Sequence, residues 1–161
     1  MTAQSTELSV QRSVTVKASQ SHAFDVFTKN FGAWWPKTHH IAAKDMATAI
    51  IEPKAGGRWF ERAADGEECE WGGVLAWDPP KKITLSWHLN AQWKYDPDPA
   101  KASEVEIRFI AEGPNSTRVE LDHRHLERTE GGEQIRHGIS QEGGWSTLLG
   151  MYKAVAELAA A

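Results

Sequence analysis

The amino-acid sequence predicts an α+β fold in which a curved antiparallel sheet packs against a long C-terminal helix and encloses a largely apolar cavity. Between residues 47 and 126, short alternating segments separated by turn signals are typical of an antiparallel meander. Residues 145–155 carry an apolar stripe of helical period. Eight tryptophans in 161 residues suit a lined cavity, although their number alone is better explained by an aromatic-rich core.

Length and composition indicate one globular domain. A chain of 161 residues, of which 40% are hydrophobic and 25% charged, can bury a core of ordinary size. We expect a single domain over residues 1–161, with residues 1–7 flexible. Cys69 is the only cysteine and cannot form an internal disulfide, which fits a reducing compartment.

Charge and hydropathy argue against two classes of partner. The net charge of −4 comes from interspersed acidic and basic residues, so the sequence offers no positive face for phosphates. The N-terminal residues lack the pattern of a secretory signal, and no apolar run approaches the length of a membrane span. We therefore expect a cytoplasmic protein that neither binds nucleic acid nor inserts into a membrane.

The first part of the chain reads as a strand, two short helices and a loop. Residues 8–17 alternate between apolar and polar side chains, as a strand does. Ser19 is a suitable N-cap for the helical region that follows, and this region ends before Pro36. Residues 37–45 have no period and are predicted to form a loop that contains two adjacent histidines.

Turn signals divide the following residues into further strands and a closing helix. The predicted strands cover residues 47–52, 58–62, 68–77, 83–89, 104–110 and 116–126. In the loop between residues 90 and 103, Trp93 and Tyr95 either cover a ligand as a flap or fasten the loop to the sheet. The closing helix is predicted over residues 133–158, about 39 Å long if continuous. Because glycine disfavours helix, a break or kink is expected near Gly143.

Several short motifs follow one another in the order seen in one protein family. They are Trp34-Trp35-x-Lys37, Gly56-Gly57-Arg58-Trp59, Gly72 to Trp77 followed by Asp78-Pro79-Pro80, Thr84 to Trp87, Thr117 to Leu121, and Gly144-Trp145-x-x-Leu148. On these motifs the chain resembles the activator of Hsp90 ATPase homologue 1-like family of the START-like, or SRPBCC, superfamily, from about Ser9 to its end. The resemblance implies a helix-grip fold, in which the sheet wraps the terminal helix and leaves a ligand cavity between them.

The same resemblance implies a range of functions. Members of the superfamily bind lipids, sterols, hormones or polyketides, and some catalyse cyclisation or ring hydroxylation. The family takes its name from larger cochaperones with an additional N-terminal domain, for which 161 residues leave no room. The cochaperone role therefore does not follow from the family name alone.

Two histidines near the end of the last strand are the main candidates for chemistry. Alternation places His123 and His125 on the face that starts with Val119 and Leu121, which is the face expected to meet the closing helix. On that face an imidazole can orient a polar ligand group, act as acid or base, or bind a metal.

A metal site would need a third ligand, for which the sequence offers only weak candidates. His88 alternates with Trp87 and points to the opposite face unless a bulge intervenes, while His39 and His40 lie on a loop. We therefore expect no bound metal and no other cofactor.

Three further polar side chains have two possible orientations or roles. Cys69 is expected to share a face with Trp71, Leu75 and Trp77 and to be a buried, unreactive thiol. Arg58 and Arg62 lie on one face of their strand. If this face turned inward, an arginine would anchor a carboxylate ligand, whereas the outward orientation, which is commoner for arginine, makes both surface charges.

The leading functional hypothesis is the binding of a small, mostly hydrophobic molecule with one polar end. The residues expected to contact it are Trp34, Trp71, Trp87, Trp93, His123, His125, Trp145 and Tyr152. One alternative is an enzyme that acts on an aromatic or polyketide-like molecule, with His123 or His125 as acid or base. A second alternative, motivated by the resemblance alone, is a module that contacts a chaperone.

Overall fold

A computed structural model describes residues 9–35, 46–90, 94–96, 98–129, 131–140 and 144–160. The strands within these residues are β1 (Val10–Val16), β2 (Met46–Ile51), β3 (Arg58–Ala63), β4 (Glu68–Asp78), β5 (Lys82–Trp87), β6 (Ser103–Gly113) and β7 (Ser116–Arg124). The helices are α1 (Gln20–Thr28), α2 (Phe31–Trp34), α3 (Gly132–Ile139) and α4 (Trp145–Ala160). Single 3-10 turns cover Pro99–Lys101 and Leu126–Arg128.

The strands form one antiparallel sheet of seven strands in the order β1-β7-β6-β5-β4-β3-β2. From β2 to β7 each strand pairs with the next along the chain, as in a meander, and β1 adds to the free edge of β7. α4 packs on β1 and on the two helices that follow it. This arrangement confirms the predicted α+β helix-grip fold.

The helical region after β1 forms where the sequence predicts it. The Ser19 hydroxyl accepts a hydrogen bond from the backbone N–H of His22 and caps the first turn of α1. The buried face of α1 carries Phe24 and Phe27. The Tyr152 hydroxyl of α4 donates to the carbonyl of Ala23 at 2.7 Å, which fixes the two helices to each other. The prediction of two short helices is confirmed.

The closing helix is divided in two, as the glycines near Gly143 predict, although Gly143 itself lies outside the described residues. α3 ends at Ile139 and α4 begins at Trp145. A Cβ at Gly144 would lie 2.1 Å from the carbonyl oxygen of Ile139, so the chain can approach α3 this closely only with glycine here. α4 has 16 residues and is about 24 Å long, shorter than a continuous helix would be.

The alternation predicted for β4 is wrong at Leu75, whereas Trp77 packs against the core as predicted. The pairing of β3 with β4 shifts register between Trp59 and Phe60, so that Trp71 has no direct partner at this bulge. After the bulge Val74 is buried and Leu75 is 53% exposed. Leu75 therefore lies on the outer face, although the alternation of the sequence places it with Trp71.

The bulge brings the backbone of β4 unusually close to β5, and this predicts an effect of Gly72→Ala. A Cβ at this position would lie 1.8 Å from the carbonyl oxygen of Ser86, so one strand would have to move. We expect Gly72→Ala to lower the free energy of unfolding by about 3 kcal/mol in urea denaturation. Gly138→Ala is the matched control, because its Cβ would meet nothing within 4 Å in α3. Gly138→Ala should raise the free energy of unfolding by about 0.5–1 kcal/mol. Equal effects of the two substitutions would contradict the close approach.

Candidate functional site

Aromatic side chains from the inner face of the sheet and from the helices that cover it meet in one core. The predicted ligand residues that the structure buries in or against this apolar core are Trp34, Trp71, Trp87, His123, Trp145 and Tyr152. The structure thus brings six of the eight predicted residues into one region. Trp93 lies outside the described residues, and His125 is placed elsewhere.

Neighbouring rings in this core pack edge to face or tilted against each other, except that Trp35 stacks on Phe31. Trp35 links the two ends of the cluster, since its ring centroid lies 5.2 Å from that of Trp71 and 6.0 Å from that of Trp145. Trp34 lies 5.5 Å from Tyr152. Centroid separations and angles of this kind are those that aromatic pairs prefer. Trp35 was not predicted to belong to this cluster, because its place before Pro36 indicates only the end of a helix.

Two of these rings keep an unused polar group in the apolar interior. Nε1 of Trp34 and Nε1 of Trp59 are buried and have no hydrogen-bond partner within the described part of the chain. An indole nitrogen can only donate. The inner face therefore offers two donors to any molecule that supplies acceptor oxygens.

His123 lies fully buried near the end of β7, between two neighbours that determine which ring nitrogen carries the proton. Nε1 of Trp145 donates to Nδ1 of His123 at 3.0 Å, so Nδ1 carries no proton. In the neutral ring the proton is then on Nε2, which donates to the Ser103 hydroxyl at 2.9 Å. Both ring nitrogens are occupied, and the ring of Trp87 lies against the imidazole with centroids 4.9 Å apart.

Burial keeps this imidazole neutral. Loss of solvation lowers the pKa of His123 from 6.5 to about 3. Burial likewise raises the pKa of the Tyr152 phenol. Both groups are thus uncharged at neutral pH, and each contributes a hydrogen bond between elements of the fold rather than a charge.

The prediction that His125 shares the inner face with His123 is wrong. β7 ends at Arg124, and His125 has a φ of 60°, in the left-handed region. Its side chain is a quarter exposed, and Nδ1 lies 3.6 Å from the carboxylate of Glu127. The backbone turn removes His125 from strand alternation, so the two imidazoles do not form a pair.

The loop after β5 is fastened to the outer face of the sheet. His88 points outward, as predicted, and its ring stacks on Tyr95 with centroids 5.3 Å apart. Nδ1 of His88 donates to the carbonyl of Asp96 at 2.8 Å, and Nε2 lies 3.0 Å from the Ser86 hydroxyl. Of the two roles considered for Tyr95, these contacts favour fastening the loop.

The two arginines of β3 also point outward. Arg58 forms ion pairs with Glu52 and Glu68, and Arg62 pairs with Glu68 at 2.7 Å. The guanidinium carbons of Arg58 and Arg62 lie 4.2 and 5.5 Å from the ring centroid of Phe60. Phe60 is buried beneath them on the outer face. The surface orientation is therefore correct, and neither arginine is available to anchor a ligand within the fold.

A buried carboxyl group, that of Glu61, was not among the residues predicted from the sequence. Glu61 is 1% exposed, and its Oε1 accepts a hydrogen bond from Nε1 of Trp71 at 2.9 Å. Strand alternation predicts this position. Because Arg58 and Arg62 point outward, the residues between and beside them, Trp59 and Glu61, point inward.

A groove of about 300 Å³ lies on the outer face rather than between the sheet and α4. Its lining residues are Gln11, Arg12, Ser13, Glu106, Arg108, Glu120, Leu121 and Asp122. Most of these are charged or polar and belong to β1, β6 and β7. The apolar cavity between the sheet and α4 stays a prediction.

Comparison with protein families decides the family. The family described as activator of Hsp90 ATPase homolog 1-like protein matches residues 17–157, which is most of the chain. The chain belongs to this family. Among curated proteins, no match to this AHSA1-like chain is found.

Solved structures include two AHSA1-like relatives of substantial identity. An anthrahydroquino-γ-pyrone synthase, Txn09, solved in complex with SUM, is 37% identical with a TM-score of 0.64, covering 91% of this chain and 96% of its own. CalC, a self-sacrificing resistance protein from Micromonospora echinospora, is 31% identical with a TM-score of 0.68, covering 95% and 96%. An AHSA1-like protein from Aeromonas hydrophila, 15% identical with a TM-score of 0.56 and coverages of 93% and 94%, supports the fold alone.

Two further findings concern partners of this AHSA1-like chain. Among the residues that the structure describes, no helix has both the length and the apolar character needed to cross a membrane. The same residues contain no group of three or more His, Cys, Asp or Glu side chains placed to hold a metal ion.

Cys69 is only half buried, and burial together with the charge of Glu61 raises the pKa of its thiol, which disfavours the reactive thiolate.

The contact between Trp145 and His123 predicts the energetic effect of two substitutions. Trp145 is 2% exposed, so Trp145→Ala should lower the free energy of unfolding by about 3–5 kcal/mol. Trp145→Phe leaves Nδ1 of His123 without its donor and should cost about 1–3 kcal/mol beyond the lost ring area. Chemical denaturation of both variants measures these losses.

The hydrogen bond is isolated by repeating Trp145→Phe in a His123→Leu background. There the acceptor is absent, so the substitution should cost less than in the native chain. Equal costs in the two backgrounds would mean that the hydrogen bond contributes nothing, and a loss below about 1 kcal/mol for Trp145→Ala would place the indole at the surface.

Buried His123 also predicts how stability depends on pH. Its pKa falls from 6.5 to about 3 on folding, so between these values the unfolded chain binds more protons than the folded one. Stability from this group is therefore complete above pH 6.5 and declines as the pH falls towards 3, by about 1.5 kcal/mol between pH 6.5 and about pH 5.

Urea denaturation of the native chain and of His123→Leu across this pH range measures the effect. The variant should lose this part of the pH dependence. His125→Gln is the control for loss of a histidine as such, and the difference between the two variants gives the contribution of His123. Parallel pH profiles for the native chain and His123→Leu would show that the imidazole is not neutralised by burial.

Proposed function

We propose that this AHSA1-like chain binds a small, mostly hydrophobic molecule with a flat aromatic ring system, held between the inner face of the sheet and α4. The observation that carries the proposal is the pair of unused indole donors, Nε1 of Trp34 and Nε1 of Trp59, within a cluster of aromatic rings. A buried donor without an acceptor costs free energy, commonly about 1–3 kcal/mol. A ligand that supplies acceptor oxygens removes this cost.

Of the two relatives above 30% identity, the synthase supports this ligand class by its name. One is named an anthrahydroquino-γ-pyrone synthase and was solved in complex with a compound, and the other is named a resistance protein. An anthrahydroquinone is a flat polycyclic aromatic with oxygen substituents. Such a ring system matches walls made of indole and phenyl groups, because aromatic faces and edges pack favourably on each other.

A second candidate function is catalysis on such a molecule, favoured by 37% identity to a protein named as a synthase. His123 is a poor acid or base in the arrangement described, since both of its nitrogens are occupied and its pKa is lowered to about 3. If a reaction occurs, we infer that the proton transfer belongs to another group. Contact with a chaperone stays a prediction that rests on the family description.

Ligand binding is tested by titrating the protein with 2-methoxyanthraquinone and following tryptophan fluorescence. We expect saturable quenching with a stoichiometry of one, confirmed by native mass spectrometry. A linear alkyl ketone of similar mass is the control ligand and should bind more weakly, because it cannot stack on the rings. Absence of saturable binding by both compounds would overturn the proposal.

The role of the indole donors is tested by Trp59→Phe. This substitution keeps an aromatic ring but removes Nε1, so affinity for the quinone should fall by about threefold to tenfold. Trp77→Phe is the matched control, since Trp77 lies further along β4 against Phe24, with centroids 5.1 Å apart. Equal losses in the two variants would show that Nε1 of Trp59 does not contact the ligand.

A further inference from the structure

Two polar groups that the aromatic core offers to a ligand are donors. Nε1 of Trp34 and Nε1 of Trp59 are buried and have no hydrogen-bond partner among the described residues. An indole nitrogen carries a proton and can donate, but it does not accept. Each donor is therefore satisfied by a ligand atom with a lone pair, such as a carbonyl oxygen.

Two buried acceptors in the same region are already occupied. Nδ1 of His123 accepts a hydrogen bond from Nε1 of Trp145 at 3.0 Å. Oε1 of Glu61 accepts one from Nε1 of Trp71 at 2.9 Å. What these side chains leave for a ligand is thus a pair of donors rather than a pair of acceptors.

The two unused donors lie around one phenyl ring. The ring of Phe31 has its centroid 5.0 Å from that of Trp34 and 6.0 Å from that of Trp59, and both indoles meet it edge to face. Trp34 belongs to α2 and Trp59 to β3. A polycyclic molecule that packs in this part of the core can therefore reach both donors and would link the helix to the sheet.

Such donors distinguish a carbonyl group from a hydroxyl group. A carbonyl oxygen accepts strongly and has no proton of its own. A phenolic oxygen accepts more weakly, because its lone pair is shared with the ring, and its O–H needs an acceptor in turn. A buried donor without one costs about 1–3 kcal/mol. A quinone and its hydroquinone differ in this respect, since two electrons and two protons convert both carbonyl groups into hydroxyl groups.

We propose that Trp34 and Trp59 select the oxidised, quinone form of the aromatic ligand over its hydroquinone, by donating to the carbonyl oxygens. The selection rests on the proposed binding of flat aromatic molecules. It adds the oxidation state of the ligand, and it assigns polar recognition to two indoles in place of His123 and His125. A ligand that is bound more tightly in its oxidised form becomes harder to reduce, by linkage.

The native chain tests the selection through the reduction potential of 2-methoxyanthraquinone, measured without oxygen by spectroelectrochemical titration. The quinone should bind about tenfold to a hundredfold more tightly than its hydroquinone. The midpoint potential of the bound compound should then lie about 30–60 mV below that of the free compound, because tenfold corresponds to about 30 mV for a two-electron couple.

Variants separate the effect of the indoles from that of hydration, since a hydroxyl group also loses hydration on entering an apolar core. Trp34→Phe and Trp59→Phe each keep a ring and remove one donor. Each should weaken quinone binding by about threefold to tenfold, and hydroquinone binding by less than about twofold. Trp77→Phe, whose ring lies against Phe24, is the matched control and should leave the ratio of the two affinities unchanged.

A vibrational measurement on the native chain does not depend on whether a variant folds. A carbonyl group that accepts a hydrogen bond has a weaker C=O bond and a lower stretching frequency. We expect isotope-edited infrared spectra of bound 2-methoxyanthraquinone, labelled with ¹³C at its two carbonyl carbons, to show a lower frequency than the compound dissolved in cyclohexane.

The outcomes distinguish this selection from the proposed function. If the native chain does not bind 2-methoxyanthraquinone in either oxidation state, the proposed function fails and the selection fails with it. If it binds both forms equally, or prefers the quinone to the same extent in Trp34→Phe, Trp59→Phe and the native chain, ligand binding stands and the role of the indoles is overturned. A carbonyl frequency equal to that in cyclohexane overturns it as well.

Discussion

One hydrogen bond between two buried side chains ties the C-terminal helix to the sheet. Nε1 of Trp145, at the start of α4, donates to Nδ1 of His123, at the end of β7. Because the indole can only donate, this contact selects the tautomer of the imidazole, and the tautomer in turn determines that Nε2 donates to Ser103. A helix, and two adjacent strands of the sheet, are thus held by one polar chain inside an apolar core.

These hydrogen bonds make His123 a structural residue with a fixed orientation. Its two ring nitrogens are already used, and its lowered pKa keeps it neutral. Proton transfer at this ring would require breaking one of the two hydrogen bonds in a region without solvent. Among the described residues, Nε1 of Trp34 and Nε1 of Trp59 are instead buried donors without a hydrogen-bond partner.

The sequence was a good guide where strands alternate regularly and a poor one where the backbone departs from alternation. Period-two patterns were sufficient to place Val119, Leu121 and His123 on the inner face. They failed for Leu75 because a bulge in β4 shifts the register, and for His125 because its backbone is left-handed. Both departures depend on contacts between strands far apart in sequence, which a local pattern does not contain. Glu61 is different, because alternation already pointed it inward.

On the outer face of β3, two arginines cover an apolar side chain, which disfavours association with other sheets. Phe60 is a large apolar ring on a face that no helix of the described residues covers, and the guanidinium groups of Arg58 and Arg62 lie over it. Glu68 holds both arginines in place. Salt screens such ion pairs, so the two arginines are held less firmly over the ring of Phe60 as ionic strength rises. Self-association of the protein in concentrated electrolyte therefore depends on these two charged side chains.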